Sequence, residues 1–564
     1  MLNPELIAHW PFRGDFNDVA GMNHGIAHNV SFAKGPDASP ESAAMFNGRD
    51  SVIEVPDSDT LHLGSSDFSI AVWIRCEKPM RSVFGALLNK FDPVQRCGFN
   101  FYIAGSAPGY NAMSEQRFVH LGIDDGYVSA FQDCGKPWPS NSGVLCLIVY
   151  QGQLYCGIAD ADNPMDAAHV FRWDGNQGWE DGGRLGRNPN HLSVMSMLVH
   201  QGRLYAGTGV FDWVRARGAG FNPALSHVFV YEGGTEWRDL GQVGESIRVL
   251  CMASFNDELY VGLDRAGGGH CFKYNGSKWL DCGAPNGNNV QNLLPLGGVL
   301  YGATHGMIWR YEGGREWRCI GDHPFGINQI HCLQAVGGKL HAGTWPQGYV
   351  LRHENNGEWS NIGRLGLPEG MYQCNEINDL TVHNGKLYAG VIPKAQVYRY
   401  ESDGHWTLLG CLASRPDYAD DNVDTWRRVT SLVPYQGKLF ASTSACKGRS
   451  IDVDPDGTLG RVYALQTGQV VSHERDIGSD WTHLAAVRED KQLRLYVDGQ
   501  LSYSSETPKG HTFDLSNTQS LTIGFGLQNY FCGLMADLRL YRGTLNENQV
   551  QALAANRAVS EPGK

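Results

Sequence analysis

Apolar and polar positions alternate along most of this 564-residue chain, and one alternating unit returns seven times. Each unit has an apolar segment, a tight turn and a second segment that opens on leucine, as in MLVHQGRLYAG and LTVHNGKLYAG. Alternation with a period of two, bounded by turn residues, predicts a pair of short strands. The leucine recurs every 40 to 55 residues, at Leu154, Leu204, Leu259, Leu300, Leu340, Leu387 and Leu439.

A second pair of elements follows each of the first six units: an aromatic run such as HVFVY, then a W-x-x-x-G motif. Four strands per repeat of this length indicate the blades of a seven-bladed β-propeller. One more copy of the last motif, with Phe131 in place of tryptophan, precedes the first unit, and the seventh unit has none after it. We expect these two pieces to pair in one blade, which would close the ring without free edges; an open solenoid is the alternative.

Composition and charge narrow the class of protein. The chain has 70 Gly, 60 aromatic residues (15 Trp, 23 Tyr, 22 Phe) and only 19% charged residues, which favours an all-β fold of short strands and tight turns. A net charge of −13 gives no general basic field for nucleic acid. No apolar run approaches the roughly 18 residues of a membrane span. The 14 cysteines include no C-x-x-C, which favours buried thiols over disulfides or a zinc site.

The flanks of the repeats are also rich in strand patterns. They include WPFRGDF, FNGRD, FSIAVWIRC, DWTHLAAV, YVDGQL and FCGLMADLRLYRG. These motifs resemble the laminin-G/concanavalin-like jelly-roll family. The resemblance implies one β-sandwich whose halves, 1–122 and 470–564, are separated by a propeller inserted at 123–469. Insertion at a loop is tolerated when the ends of the insert lie close together.

The layout of the whole chain also resembles a group of bacterial proteins with laminin-G-like and propeller segments. That resemblance implies a link to glycans, with a polysaccharide or oligosaccharide as partner, but no particular activity. The first residues, MLNPELIAHWPF, lack the pattern of a signal peptide. We therefore expect a secreted or periplasmic protein if a signal has been removed, and a cytoplasmic one otherwise.

Counting back from the repeated leucines aligns the inner strands, which line the channel of a propeller. The residue ten positions before each leucine is always Val or Ile, which predicts the face packed between blades. Positions eleven and nine before it lie on the other face and point to the channel. At three of these positions the side chain is apolar: Leu145, Met195 and Leu250. We predict an off-centre polar site, with a merely hydrated channel as the alternative, at Arg248, Asn289, Gln291, Gln329, His331, Glu376, Asn378 and Arg428.

Loops after the second strands should open on the same face and carry binding residues. His305 and Lys394 lie there, and Trp345 would stack on a sugar ring or pack within its blade. The long segment ASRPDYADDNVDTWRRVTS places Arg427 beside the ring. Substrate binding is therefore predicted for Asn289, Gln291, Gln329, Asn378, Trp345, Arg427 and Lys394.

Two acidic segments offer candidate calcium ligands: the Asp-rich loop ASRPDYADDNVDTWRRVTS, which does not match EF-hand spacing, and SIDVDPDGT, which is the closer match. The D-x-D-x-D-G pattern of SIDVDPDGT, at Asp452, Asp454 and Asp456, resembles the first half of a calcium loop but lacks the closing glutamate. Calcium is thus the one cofactor considered, and a solvated acidic loop is the alternative.

A polysaccharide lyase is the first functional hypothesis. Arg248 and Arg428 would hold a uronate carboxylate and stabilise the charge that develops when the neighbouring proton leaves. His331 would be the base in this β-elimination, and His305 or Tyr372 would protonate the leaving group. The arrangement resembles seven-bladed lyases of algal and plant glycans, an analogy at the level of fold.

Two other hypotheses remain open. A glycoside hydrolase needs two carboxylates about 5–10 Å apart. The ring supplies only Glu376, with Asp160, Asp264 or Asp424 as partners. A non-catalytic glycan-binding protein would use the jelly roll as the lectin and the propeller as a scaffold. The sequence decides neither the sugar nor the oligomeric state.

Overall fold

A computed structural model describes residues 4–79, 81–82, 85–105, 112–140, 143–159, 167–176, 178–188, 190–211, 225–322, 326–354, 356–368, 375–413, 426–445 and 457–557. Strands dominate these residues. The α-helix near the end of the chain, Glu547–Ala555 (α1), begins at a capping box in which the Asn546 side chain accepts a hydrogen bond from the Gln549 backbone. Over the described ranges, no helix has the length and apolar character needed to cross a membrane.

The strands before the repeats are β1 (Glu5–Trp10), β2 (Ile26–His28), β3 (Ser31–Ala33), β4 (Ala43–Asn47), β5 (Val52–Val55), β6 (Phe68–Cys76), β7 (Ala86–Asp92), β8 (Cys97–Ala104), β9 (Ala112–Met113) and β10 (Phe118–Val128). Those after the repeats are β39 (Thr467–His473), β40 (Thr482–Glu489), β41 (Gln492–Val497), β42 (Gln500–Ser504), β43 (Leu521–Ile523) and β44 (Cys532–Arg542).

These two flanks build one sandwich together. One sheet has the order β3-β4-β44-β6-β40-β41-β42, with β1 on β44, and the other has the order β2-β5-β43-β7-β8-β10-β39. Each sheet mixes strands from both flanks, so neither flank closes a sandwich alone. The core between them buries large side chains such as Trp10, Phe68, Phe99 and Phe101.

The repeats form seven blades within the described residues. Blade 1 consists of β12 (Gly143–Tyr150), β13 (Gln153–Ala159), β14 (His169–Trp173) and β15 (Trp179–Arg184). Blade 2 consists of β16 (Ser193–His200), β17 (Arg203–Gly209), β18 (His227–Gly233) and β19 (Glu236–Gln242). Blade 3 consists of β20 (Val249–Phe255), β21 (Glu258–Leu263), β22 (Cys271–Tyr274) and β23 (Trp279–Asp281).

Blade 4 consists of β24 (Asn292–Leu296), β25 (Val299–Ala303), β26 (Met307–Gly313) and β27 (Glu316–Asp322). Blade 5 consists of β28 (Gln329–Val336), β29 (Lys339–Trp345), β30 (Tyr349–His353) and β31 (Trp359–Arg364). Blade 6 consists of β32 (Glu376–His383), β33 (Lys386–Ile392), β34 (Gln396–Ser402) and β35 (His405–Cys411). Blade 7 is β36 (Arg427–Tyr435), β37 (Lys438–Ala445), β38 (Val462–Leu465) and, from before blade 1, β11 (Gln132–Asp133).

Ring closure follows the sequence prediction. Gln132 and Asp133 pair with Ala464 and Tyr463, so the last blade takes its outer strand from the start of the insert. The strands that enter and leave the propeller, β10 and β39, pair antiparallel in the sandwich, which keeps the ends of the insert together. The domain limits 1–122, 123–469 and 470–564 themselves stay a prediction.

Inner strands share a backbone irregularity that the sequence did not reveal. The strand register shifts by one residue at the same place in six inner strands, at Leu145, Met195, Leu250, His331, Asn378 and Thr430. Such a bulge redirects the side chain of the extra residue. The preceding Val or Ile of each blade is buried in an apolar cluster, as predicted for the packing face.

The residue after each bulge links neighbouring blades. The Cys146, Cys251 and Cys332 thiols donate to the backbone carbonyls of Val194, Val290 and Ile377 in the next blade. The Ser196 hydroxyl makes the equivalent bond to Val249. These thiols are free and buried, which confirms the expectation for them; Cys374 lies outside the described residues.

Candidate functional site

Inner strands and the loops after second strands meet on one face of the propeller. Pairs such as Gly143 with Ala159, Gln329 with Trp345 and Glu376 with Ile392 set the start of each inner strand beside the end of the second. The bulge lies one or two residues further into the channel. Side chains from successive blades therefore converge at this mouth.

One half of the channel mouth is apolar. Leu145, Met195 and Leu250, the bulge residues of blades 1 to 3, form a buried cluster with Ala159 and Phe211. This half matches the plain positions noted in the sequence. It leaves the polar groups on the opposite side.

The polar half centres on His331, the bulge residue of blade 5. Its Nδ1 lies 3.5 Å from Oε1 of Glu376 in blade 6, and the same oxygen lies 3.7 Å from Nη1 of Arg428 in blade 7. All three residues are at most 6% exposed. The Arg428 guanidinium carbon stands 5.2 Å from the ring centroid of Phe211, a cation–π distance that joins the polar half to the apolar half.

Several buried polar atoms of this half lack a hydrogen-bond partner among the described residues. They include both ring nitrogens of His331, Oε1 of Glu376 and both amide atoms of Asn378. Buried polar groups are rarely left unsatisfied because desolvation then costs about 1–3 kcal/mol each. Water or a ligand with several polar groups would satisfy them.

Arg248 and Asp264 form a separate ion pair at the edge of the ring. Arg248 Nε lies 2.6 Å from Asp264 Oδ2, and both side chains are buried. The other Asp264 oxygen accepts a hydrogen bond from the Ala266 backbone. Asn289 Oδ1 accepts one from the Arg265 backbone at 2.8 Å. These contacts hold the short loop after β21 against the ring.

Both histidines of the polar half have a lowered pKa. Burial lowers the pKa of His331, and the charges of Arg428 and Arg248 lower it further, while Glu376 opposes them. Burial and the neighbouring His331 lower the pKa of His305 to about 4. Both imidazoles are therefore neutral at neutral pH, the form in which a histidine accepts a proton.

The remaining candidates are distributed between the ring and its rim. Gln291 is buried in the ring, whereas Gln329, Trp345 and Lys394 are partly exposed. Lys394 has a left-handed φ of 67° in the turn between β33 and β34, a conformation that non-glycine residues adopt at a cost of about 1–3 kcal/mol. His305, also partly exposed, follows β25, so the rim comes from blades 4 to 6.

Arg427 departs from the predicted role. It is 1% exposed, and its Nη1 donates to the Ala413 carbonyl at 2.9 Å and to Thr458 Oγ1 at 3.3 Å. Neighbouring residues of a strand point to opposite faces, so Arg427 points away from the face of Arg428. Its contacts fasten loops around blade 7 and do not support substrate binding.

Other candidates lie outside the described residues. These are Tyr372, the hydrolase partners Asp160 and Asp424, and the calcium candidates Asp452, Asp454 and Asp456. Within the described ranges, no group of three or more His, Cys, Asp or Glu residues could hold a metal ion.

Sequence reasoning missed two features of the site. Phe211 follows the second strand of blade 2 by only two residues, but no repeat or motif of the sequence marks it as a residue of the site. The sequence offers Asp264 as a hydrolase partner, but both of its oxygens are engaged by Arg248 and the loop backbone. The ring is therefore less cationic than its two arginines and one glutamate suggested.

A family model supplies one comparison with known proteins. The Laminin_G_3 model, described as the concanavalin A-like lectin/glucanases superfamily, matches residues 422–551. No curated protein matches the chain.

Solved structures similar to this chain include three proteins of low identity. The extracellular domain of a hybrid two-component system from B. thetaiotaomicron is 16% identical over 60% of this chain and 39% of its own, with a TM-score of 0.41. Virginiamycin B lyase from Staphylococcus aureus is 10% identical over 60% and 98%, with a TM-score of 0.43. The GH74 enzyme of Niastella koreensis is 15% identical over 71% and 69%, with a TM-score of 0.36.

This chain thus spans well under half the length of the first of these proteins. Identities and TM-scores this low carry no argument about activity. The interleaved sandwich, the closed ring of blades and the matching family model agree on the architecture. The chain carries a laminin-G-like, concanavalin-like jelly roll that is interrupted by a seven-bladed β-propeller.

Proposed function

We propose that the polar half of the channel mouth acts on an acidic glycan and cleaves it by β-elimination next to a uronate carboxylate. The observation that carries this proposal is the neutral, buried His331, with no hydrogen-bond partner for either ring nitrogen among the described residues, set beside Glu376. A lectin/glucanase family model over part of the chain supports the broader role in glycan recognition.

Each group has a defined task in this reaction. Arg428 binds the uronate carboxylate and stabilises the negative charge that builds on it as the adjacent carbon loses its proton. His331 accepts that proton, the electron pair of the broken C–H bond forms the C4–C5 double bond, and the C4–O bond breaks. Glu376, 3.5 Å from His331, stabilises the imidazolium that results.

The leaving oxygen needs a proton. His305 lies at the rim and is influenced electrostatically by His331, but its pKa of about 4 keeps it neutral at neutral pH. A neutral imidazole is too weak an acid to give up its ring N–H proton. The leaving oxygen therefore takes its proton from a water molecule that the His305 ring holds, and solvent replaces that proton. Tyr372 stays a second candidate from the sequence.

A hydrolase of the two-carboxylate kind has less support. Glu376 has an oxygen without a hydrogen-bond partner among the described residues, but Asp264 is held by Arg248 and by the Ala266 backbone. A general acid or nucleophile must reach the substrate oxygen or carbon, and Asp264 is fully buried.

Glycan binding without cleavage is the second candidate, and burial favours it. The His331 side chain is only 8% exposed, which restricts the approach of a polymer to the base. A saccharide end or a short oligosaccharide would reach the ring, whereas an internal segment would contact only the rim at Trp345, Gln329 and Lys394.

The test is an incubation with a panel of uronate-containing and neutral polysaccharides. β-Elimination yields a conjugated product that absorbs in the ultraviolet, so wild type should raise this absorbance with uronate substrates only. His331→Gln should lower the rate by about 10²–10⁴-fold, the usual contribution of a general base. His405→Gln, on the exposed outer strand of blade 6, is the matched control and should keep full activity.

Three other outcomes would overturn the lyase assignment. New reducing ends without the absorbance would indicate a hydrolase. Binding without new ends would leave a glycan-binding protein. Equal activity in wild type and His331→Gln would remove His331 from the chemistry.

A further inference from the structure

A cavity of about 450 Å³ lies between the jelly roll and the propeller, away from the channel mouth. Its propeller wall comes from the hairpins between the inner and second strands of blades 4 and 5, the opposite ends of those strands from the ring. Its jelly-roll wall is the turn at Gly48 and Arg49. This volume is in the usual range for small-molecule sites, about 300–1,000 Å³, which often lie between domains.

The lining of this cleft is cationic. It contains Arg49, Arg310 and Lys339, and none of its twelve residues is acidic. Burial lowers the pKa of His353 in the same lining, so this ring is neutral at neutral pH. Two of the cations have carboxylate partners outside the lining: Arg310 Nε lies 3.2 Å from Glu312, and Lys339 Nζ lies 2.6 Å from Glu354.

Arg49 differs from these two cations. It is exposed at the cleft, and within the described ranges no carboxylate forms an ion pair with its guanidinium. Burial raises the pKa of Tyr301 in the same lining, and the charges of Arg310 and Arg49 oppose that rise. Both guanidinium groups therefore act on the space around one phenol hydroxyl.

The walls of the cleft are fastened to each other. The Gly298 amide donates to the Arg81 carbonyl at 2.6 Å, and the Gly297 amide donates to Ser82 Oγ at 3.1 Å. In blade 5, the Gly338 amide donates to Asn529 Oδ1 at 2.8 Å. The cleft is thus preformed, which reduces the ordering cost of binding.

Gly298 lies beside the guanidinium of Arg49, and its positive φ favours glycine at this position. A Cβ at Gly298 would stand 2.9 Å from an Arg49 guanidinium nitrogen, and φ there is +80°. The hairpin has no side chain at the point where Arg49 crosses it, so the guanidinium extends along the backbone to the cleft.

We propose that this cleft is a second binding site, for a small ligand that bears a carboxylate or sulfate group. Arg49 makes the first contact with the oxyanion, and Arg310 and Lys339 add to the field. Tyr301 offers a hydroxyl and a ring face to the remainder of the ligand. The oxyanion could belong to an acidic saccharide or be a free inorganic ion, and both share this chemistry.

The full-length protein can be tested by isothermal titration with three probes: a uronate disaccharide, sodium sulfate and a neutral disaccharide. We expect a signal with the uronate or with sulfate, and none with the neutral sugar. Arg49→Gln should weaken binding about tenfold or more, the scale of one lost charge-assisted hydrogen bond. Lys339→Gln should weaken it less, because Lys339 shares its charge with Glu354.

Arg238→Gln is the matched control, since Arg238 is an exposed arginine 2.7 Å from Glu232 on the outer strands of blade 2. It should bind like wild type. All titrations are repeated in a background that combines His331→Gln with Arg428→Gln. This background removes both turnover and the carboxylate-binding arginine of the channel, so any remaining uronate signal comes from the cleft. Uronate binding lost with Arg49→Gln identifies a saccharide, and sulfate binding alone lost with it identifies a free anion. Equal affinities in Arg49→Gln and Arg238→Gln, or binding of the neutral sugar with the same affinity, would overturn the proposal.

Discussion

The two halves of the channel mouth are built on the same backbone but present opposite chemistry. In blades 1 to 3 the bulge carries Leu145, Met195 and Leu250, which pack on Phe211. In blades 5 and 6 the equivalent bulge carries His331 and Asn378, whose polar side-chain atoms lack hydrogen-bond partners among the described residues. The repeated backbone thus positions one bulge residue in each of these blades. Where that residue is apolar it packs and stabilises the ring, and where it is polar it is available to bind or react.

The largest expected contrast is in turnover. Arg428→Gln should lower kcat on a uronate glycan by about 10²–10³-fold, because it removes a donor aimed at developing charge. Met195→Ala, in the apolar half, should leave kcat per folded molecule close to wild type. Steady-state kinetics on both variants measure this contrast. An equal loss in both would mean that the halves do not differ in function.

The ion pair at the edge of the ring should have the largest effect on stability. Asp264→Ala leaves the buried Arg248 guanidinium without this carboxylate, and we expect a loss of about 3–5 kcal/mol in the free energy of unfolding. Replacing both partners with apolar residues, Asp264→Leu with Arg248→Met, should recover much of that loss. Urea denaturation of the two variants measures it. A single variant as stable as wild type would show that the pair is not needed.

The apolar half should respond by packing alone. Leu250→Ala removes a fully buried side chain and should cost about 2–5 kcal/mol, depending on how far the cluster collapses. Thermal denaturation and turnover of the folded fraction are measured together. Unchanged stability would show that the cluster is loosely packed, and lost turnover at full folding would place chemistry in this half.

The pH dependence should separate the neighbours of His331 by sign. Glu376 raises the pKa of His331, whereas Arg428 lowers it. The active form is neutral, so activity is lost as pH falls through this pKa. Glu376→Gln should move the acidic limb of the pH–rate profile to lower pH, and Arg428→Gln should move it to higher pH. Shifts in the same direction would contradict the arrangement.

The free energy of unfolding should also depend on pH through His331. Folding lowers the pKa of His331 below its ordinary value of 6.5, so the unfolded chain binds more protons as pH falls through 6.5. The free energy of unfolding should therefore decrease toward acidic pH, and His331→Gln should reduce that slope.

The links between blades should have the smallest effect and be the same in both halves. Ser196→Ala in blade 2 and Cys332→Ala in blade 5 each remove one donor to the next blade's carbonyl. We expect losses of about 1 kcal/mol each and no change in turnover. A much larger loss on one side would mean that the scaffold itself differs between the halves.

Much of the fold could be predicted because the sequence repeats at two scales: apolar and polar residues alternate within strands, and the four-strand unit recurs every 40 to 55 residues. The repeated leucines and the Val or Ile row fixed the blades and their packing face, and the unmatched Phe131 motif indicated how the ring closes. The bulge could not be predicted, because one extra residue in a strand leaves the apolar pattern unchanged. The bulge directs His331 and Asn378 toward the channel, as simple alternation also predicted. The positions of the ring residues could therefore be predicted without the bulge that helps to orient them.

The charge pairing within the site could not be predicted from the sequence. Arg248 and Asp264 are sixteen residues apart, and only the hairpin between β20 and β21 brings them to 2.6 Å. Arg427 and Arg428 are adjacent and look alike, yet one fastens loops and the other faces Phe211. Pairing of charges depends on which face and which loop each side chain meets, and composition carries no such information.

The most direct test of the contrast is a crystal structure of His331→Gln with a bound uronate oligosaccharide. We expect the sugar carboxylate on Arg428, beside Glu376 and Asn378, with only the ring of Phe211 contributed from the apolar half. A sugar seated on Leu145, Met195 and Leu250, or one bound wholly outside the channel mouth, would contradict the assignment of the polar half as the functional site.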